Sequence, residues 1–235
     1  MNQHQFSEPE IQGVYRAIYE RRDMRHFTPG PLVPGQLQRF LLAAHRGPSV
    51  GYMQPWRFLR VVAPALRQRI HAHVSEERLL TAQALGSRAE DFMRLKVEGI
   101  LTCGELLVVG LMDQREHHVF GRRTMPHMDL ASASCAIQNF WLAARAEGIG
   151  VGWVSLFDPD QLRTLCQMPA GSEPIAILCV GQVESFYPAP MLELEGWDQR
   201  RPLAELLYED CWGTASAAAQ TAGPAAAEAP ITAKP

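Results

Sequence analysis

The sequence predicts an α+β domain in which a sheet lies among helices, and three observations predict it. Helical periodicities alternate with short apolar runs along the chain. Four of those runs, at 56–62, 105–112, 150–157 and 174–181, have strand length. An alanine-rich stretch at 127–147 is long and apolar enough for a core helix.

Taken in order, Ser7-Glu8-Pro9-Glu10 has the spacing of a capping box. Ile11, Val14, Tyr15, Ile18 and Tyr19 then follow at helical spacing, so a first helix runs out near Arg22. A second begins near Pro34, carries Leu37, Phe40, Leu41 and Ala44 on one face, and ends around Gly47-Pro48. WRFLRVV at 56–62 reads as a strand, 64–80 as a helix, and the mostly polar 87–98 as a further helical stretch. ELLVVGLM at 105–112 is a buried strand by its apolar run, and the long helix at 127–147 closes at Gly148. GVGWVSLF at 150–157 is a strand stopped by Asp158-Pro159, a cap residue with proline in the first helical position. PIAILCVG at 174–181 is the last strand. One domain is expected over 1–213, and the alanine- and proline-rich tail at 214–235 is expected to be disordered.

Bulk properties exclude several classes. The 235 residues are 47% apolar and 20% charged, an ordinary globular balance. A net charge of −3 argues against a general nucleic-acid binder. No apolar run approaches the roughly 20 residues of a membrane span, and MNQHQFSEPE lacks the pattern of a secretory signal. Five widely spaced cysteines without a CxxC fit reduced thiols, mostly small core residues, in a cytoplasmic protein.

Four stretches could carry chemistry. RRDMRHF at 21–27 places Arg21, Arg22 and Arg25 at a helix C-terminus, where cations suit the helix dipole. The same guanidinium groups would also suit an anion site. Asp23 among them could pair with an arginine, which would depress its pKa and leave it inert as a base. GPSVGYMQPWRF at 47–58 reads as a helix-to-strand loop, or as a loop whose Ser49 and Gln54 bond the polar edge of a heterocycle above Trp56. In GVGWVS at 150–155, glycines allow close backbone approach to a planar ligand, and Ser155 would end a strand. WDQRRPLAELLYEDCWG at 197–213 adds Arg200 and Arg201, either in a surface arm or beside an anion. His71-Ala72-His73 and His117-His118 lack metal-ligand spacing, so no metal is expected. No GxGxxG or GxSxG supports a Rossmann cofactor fold or a serine hydrolase.

Together these segments resemble the flavin-dependent nitroreductase superfamily, over residues 11 to 213. The features are an arginine cluster after the first helix, a "PS…QPW" loop, a glycine-containing strand and an "RxPL" segment, in that order. Within it they are similar to the BluB-type subgroup, the 5,6-dimethylbenzimidazole synthases, through YERRDMRHF, GPSVGYMQPWRF, MDLASASCAIQNFWLAARAEGIGVGWVSLF and RRPLAELLYEDCWG. Ordinary nitroreductases usually carry asparagine where this chain has Tyr52, and serine where it has Asp23; both departures fit the subgroup.

The resemblance implies a nitroreductase-like fold with a central, mostly antiparallel sheet flanked by helices. It also implies a homodimer whose C-terminal arms embrace the partner and whose FMN lies at the subunit interface. Arg21, Arg22, Asp23, Met24 and Arg25 would then contact the flavin. Ser49 and Gln54 would bond its polar part, and Arg200 or Arg201 would complete the phosphate site. Residues 79–100 would form a lid. The implied reaction is O2-dependent fragmentation of reduced FMN, itself the substrate, to dimethylbenzimidazole and erythrose 4-phosphate. Asp23 would act as proton acceptor near the ribityl hydroxyls, and Ser155 would shuttle a proton or position the oxidant. An external flavin reductase would supply the reduced FMN. An NAD(P)H-dependent FMN reductase or nitroreductase, and a non-catalytic flavin binder, are the alternatives on the same fold.

Overall fold

The computed structural model of the protein describes residues 3–214 and residue 216. The expected disordered tail therefore lies outside the described residues, apart from Thr214 and Ser216. Contacts divide the chain into two compact units, Ala17–Pro188 and a smaller one of Met1–Arg16 with Ala189–Pro235.

In the larger unit the four apolar runs are strands: β1 (Trp56–Arg60), β2 (Glu105–Leu111), β3 (Gly150–Val154) and β4 (Glu173–Gly181). They lie in the order β1-β2-β4-β3, and each neighbouring pair is antiparallel. The continuous apolar sequences of β2, β3 and β4 follow from burial on both faces, since alternate side chains enter different cores, whereas edge strand β1 buries only Trp56. Leu107, Val109, Leu178 and Val180 pack on one face with Phe40 of α2 (Gln36–His45) and Phe140 of α5 (Met128–Ala146). Those two rings meet edge to face at 5.6 Å. Leu106, Val108, Ile177 and Cys179 pack on the other face with Ile70 of α3 (Pro64–Leu85) and Leu162 of α6 (Pro159–Leu165). The α+β reading and the antiparallel sheet between helices both hold.

Several boundaries move for local reasons. In the first helix, α1 (Glu8–Glu20), Ser7 N–H donates to Glu10 at 2.9 Å, as in a capping box, but the Ser7 hydroxyl also turns to Glu10 rather than to the backbone. The helix expected at 64–80 runs on to Leu85, because no breaker intervenes before Gly86, whose φ is +57°. Beyond it only a 3-10 turn at Gly86–Arg88 and the short α4 (Ala89–Arg94) are helical. β3 stops at Val154 rather than 157, where its pairing with Ile177 ends. Asp158 N–H is there held by His73 Nε2 at 2.9 Å, and the Asp158 carboxylate caps α6 at Gln161 N–H, 2.8 Å. Of the five free cysteines, Cys103 and Cys179 are buried, Cys166 is half-buried, and Cys135 and Cys211 are exposed. No helix among the described residues is long and apolar enough to cross a membrane.

The segment after β2 is tied to the start of α5 by a buried carboxylate. Asp129 accepts from Arg115 at 2.8 Å, Arg122 at 3.2 Å and Leu130 N–H at 2.7 Å. Burial pushes its carboxyl upward, but the Leu130 N–H and the Arg122 and Arg115 guanidinium groups outweigh that, and the net shift is below the ordinary 3.8. A depressed folded-state pKa contributes stability that is present above about pH 4 and lost as pH falls through the folded value. Acid unfolding monitored by circular dichroism should therefore be less steep below about pH 4 in Asp129→Asn. Asp129→Ala, which strands two partly buried arginines, should cost about 3 kcal/mol in denaturant titrations at pH 7.

Candidate functional site

β3 is an edge strand, and its free side would leave backbone groups unpaired. The chain leaving α1 covers that side. Asp23 bridges Val151 in parallel, and Met24 N–H donates to Val151 O at 3.0 Å. Two residues further along β3, the Asp23 carboxylate replaces a ladder carbonyl and accepts from Trp153 N–H at 2.9 Å. So close a crossing requires glycine in β3, because a Cβ on Gly152 would lie 2.2 Å from Met24 O. The close approach expected of these glycines toward a planar ligand is, in the structure, an approach to the chain's own Met24.

Each arginine of the turn has a different setting. Arg25 Nη2 bonds Asp23 at 2.5 Å and Trp153 O at 2.8 Å. Its Nη1 is buried with no hydrogen-bond partner among the described residues. Arg21 lies over the Trp141 ring of α5, 4.6 Å from the centroid. Arg22 donates to the carbonyls of Tyr19 at 2.7 Å and Pro188 at 3.0 Å, while Trp141 Nε1 donates to Arg22 O at 3.2 Å. Arg22 is engaged by carbonyls, and the buried Nη1 of Arg25 is a donor that an anionic or carbonyl group would satisfy. Met24, expected at the flavin, has its side chain in the core and only 1% exposed.

Asp23 departs from the expectation that an arginine partner would depress its pKa. Surrounding protein, the largest influence, raises its carboxyl above the ordinary value against the pull of Arg25, the Trp153 N–H and Arg21. Its side chain is nonetheless 41% exposed, so one flank meets solvent and the rise is moderated there. The group is a carboxylate of strengthened basicity with an open side.

The Ser49–Gln54 loop is self-bonded and strained. Ser49 Oγ accepts from Gln54 N–H at 3.1 Å, and Gln54 Nε2 donates to Tyr52 O at 3.2 Å. Tyr52 and Gln54 have φ of +56° and +51°, left-handed conformations that cost a side-chain-bearing residue roughly 1–3 kcal/mol. The loop is held at Val50 N–H by Ser132 of α5, 3.0 Å, whereas the arginine turn meets α5 at Trp141. At 1.5 Å per residue those anchor points are roughly 13 Å apart along the helix. Trp56, expected beneath a ligand, is a core residue 4% exposed. Ser155 follows β3 directly and is exposed. Arg200 and Arg201 belong to the smaller unit; Arg200 N–H bonds Glu193 at 3.1 Å, both side chains are in an exposed stretch, and a 3-10 turn at Leu203–Glu205 follows.

Sequence reasoning missed Trp141 and Tyr187, which touch the turn. Trp141 reads simply as part of an apolar helix, and nothing local links it to a backbone carbonyl 119 positions away. A surface cleft of about 560 Å³ between α3 and α6, lined by Arg69, His73, Glu76 and Asp160, contains none of the expected site residues. Its lining brings two carboxylates against a single arginine, whereas the arginine turn gathers three guanidinium groups around one carboxylate. Among the described residues, no group of three His, Cys, Asp or Glu could hold a metal.

Gly152→Ala should shift the turn off β3. Its stability should fall by about 2 kcal/mol or more in denaturant unfolding, as for other overpacked sites.

The nitroreductase family model matches residues 18–182. A 5,6-dimethylbenzimidazole synthase of Rhodobacter capsulatus is 37% identical over 199 residues, covering 84% of this chain and 96% of that protein. A BluB-like flavoprotein structure from Clostridium difficile 630 superposes with a TM-score of 0.64 at 18% identity, covering 83% of this chain and 98% of the other. Iodotyrosine deiodinase, solved with FMN and 3-iodo-L-tyrosine, superposes with a TM-score of 0.63 at 21% identity over 74% of this chain and 92% of the other.

Proposed function

The chain belongs to the nitroreductase family, and from that premise we propose that it is a 5,6-dimethylbenzimidazole synthase. Its reaction is the O2-dependent fragmentation of reduced FMN to dimethylbenzimidazole and erythrose 4-phosphate. The observation that carries this reading is Asp23: a half-open carboxylate of raised pKa, fixed by Trp153 N–H and Arg25 within a cluster of three arginines. A flavin reductase has cations to hold FMN but no need of a base at that position. Identity of 37% with a synthase across nearly its whole length supports the same choice.

The residues present fit the flavin. Arg25 Nη1 is a buried donor awaiting an acceptor, and Arg21, Arg22 and Arg25 together take the phosphate and the pyrimidine edge. Ser49 and Gln54 suit the polar edge, and Arg200 or Arg201 completes the phosphate site. Reduced FMN is the substrate and supplies both the electrons for O2 and the dimethylated ring. The protein's part is to orient it, exclude water and move protons. Asp23 accepts a proton near the ribityl hydroxyls, and Ser155 relays one at the open end of β3. Residues 79–100 act as the lid, tied at its base where Arg78 bonds the carbonyls of Met93 at 2.6 Å and Leu95 at 2.8 Å. The reduced flavin comes from a separate cytoplasmic reductase.

The site is completed by a second copy of the chain. The arginine turn and the Ser49–Gln54 loop meet α5 at Trp141 and Ser132, nine residues apart, and in this reading two copies supply them to one flavin. α1 has no buried residue, although Val14, Tyr15, Ile18 and Tyr19 form an apolar stripe on it. A homodimer covers such a stripe, and the C-terminal arm embraces the partner.

Mixing the protein with chemically reduced FMN and admitting oxygen should yield dimethylbenzimidazole and erythrose 4-phosphate by mass spectrometry. Rapid NADPH consumption without either product would establish the reductase instead. Asp23→Asn should keep FMN affinity within about threefold and lower product formation by at least about a hundredfold, within the span of lost general-base catalysis. The raised Asp23 pKa predicts a wild-type kcat/KM that climbs with pH along an acid limb centred above 3.8, a limb that Asp23→Asn lacks. Ile18→Glu should convert the dimer to monomer in sedimentation velocity and weaken FMN binding.

A further inference from the structure

The arginine turn is braced from a segment in which the sequence shows no motif, residues 182–188 after β4. Thr28 N–H donates to Gln182 O at 2.9 Å, and Arg22 Nη2 donates to Pro188 O at 3.0 Å. Between these points stands Tyr187. Its hydroxyl accepts from Arg25 N–H at 3.2 Å and from His26 N–H at 3.3 Å, and lies 2.7 Å from His26 Nδ1.

The hydrogen-bond count fixes how this group works. A phenol oxygen has two lone pairs and one hydrogen. Both lone pairs are taken by successive backbone N–H groups, so the hydrogen goes to His26 Nδ1, and the proton of a neutral His26 resides on Nε2. The ring of His26 stands edge-on to Tyr187, with centroids 6.1 Å apart and planes at 82°. Where the chain departs from β3, the N–H groups of half-buried Arg25 and exposed His26 have no ladder partner. A tyrosine reaching from a neighbouring segment satisfies both at once. It also sets the direction in which the Arg25 side chain leaves the backbone, and hence where Arg25 meets Asp23 and Trp153 O.

We propose that Tyr187 is a positioning residue: through two backbone N–H groups it holds Arg25, and through Arg25 the Asp23 carboxylate, in the geometry that turnover requires. The catalytic part rests on the synthase reading; the mechanical part does not.

Tyr187→Phe removes the oxygen and keeps the ring, so it separates the two parts. In the variant, amide hydrogen exchange at Arg25 and His26 should quicken at least tenfold, while exchange in β2 and β4 stays unchanged. With chemically reduced FMN and O2, kcat should fall at least tenfold and KM should stay within threefold. Unchanged exchange at Arg25 and His26 overturns the proposal. So does a lowered melting temperature with kcat and KM both unchanged, which is the outcome of a merely structural tyrosine. If the wild type makes no dimethylbenzimidazole, the synthase reading fails, and the exchange data alone decide whether Tyr187 braces the turn. If Tyr187→Phe does not fold, the wild type still decides. Its Arg25 and His26 amides should exchange at least tenfold more slowly than that of exposed Arg201, and His26→Ala should preserve protection at Arg25; free exchange in either protein overturns the proposal.

Discussion

The contact on which the rest of this molecule depends is the seam between residues 23–25 and the free edge of β3. An unprotected sheet edge offers unpaired N–H and C=O groups to any other strand. Here the chain closes its own edge within a few residues of leaving α1, first with a backbone bond from Met24 to Val151 and then with the Asp23 side chain at Trp153 N–H. A carboxylate in place of a backbone carbonyl is an unusual ladder partner. It protects the edge and at the same time fixes one carboxylate oxygen, so a structural requirement of the sheet sets the direction of this carboxylate.

Electrostatics at that seam follow from geometry rather than from composition. The protein carries a net charge of −3, yet three guanidinium groups share one turn. Their mutual repulsion is relieved individually: Arg22 by carbonyls, Arg21 by the face of Trp141, Arg25 by Asp23 and Trp153 O. Asp23 is therefore both neutralised by a neighbour and crowded by protein. Crowding is the larger influence, which leaves it more basic than a surface aspartate. The strained loop at Tyr52 and Gln54 adds a second preset element, held by Ser132 rather than by its own sequence preferences.

Much of the fold is legible in the sequence because burial on both faces writes itself into the strands as unbroken apolar runs. β2 and β4 were bounded to within a residue on that signal alone. The errors fall where a long-range partner overrides a local pattern. β3 ends early because Asp158 is drawn to His73, 85 positions away. The arginine turn and Asp23 could be singled out, as could Ser49, Gln54, Ser155, Arg200 and Arg201. That Met24 would be core and Arg22 a carbonyl donor could not, since adjacent residues of an irregular segment carry no periodicity to say which way they face. Tyr187 left no trace at all, because a single hydroxyl bonding two backbone N–H groups has no spacing rule.

By itself, the sequence determined the layers of this protein, the order of its elements and the family to which it belongs. These rest on properties each segment holds alone: apolar periodicity, capping residues, and the residue types of four short stretches. Tertiary structure decided what those residues do to one another. Whether Asp23 would be silenced by an arginine or made more basic by burial depended on how closely β3 could approach, and that was settled by the missing Cβ of Gly152. Charge and basicity are sums over neighbours in space, and neighbours in space are what a linear pattern does not contain.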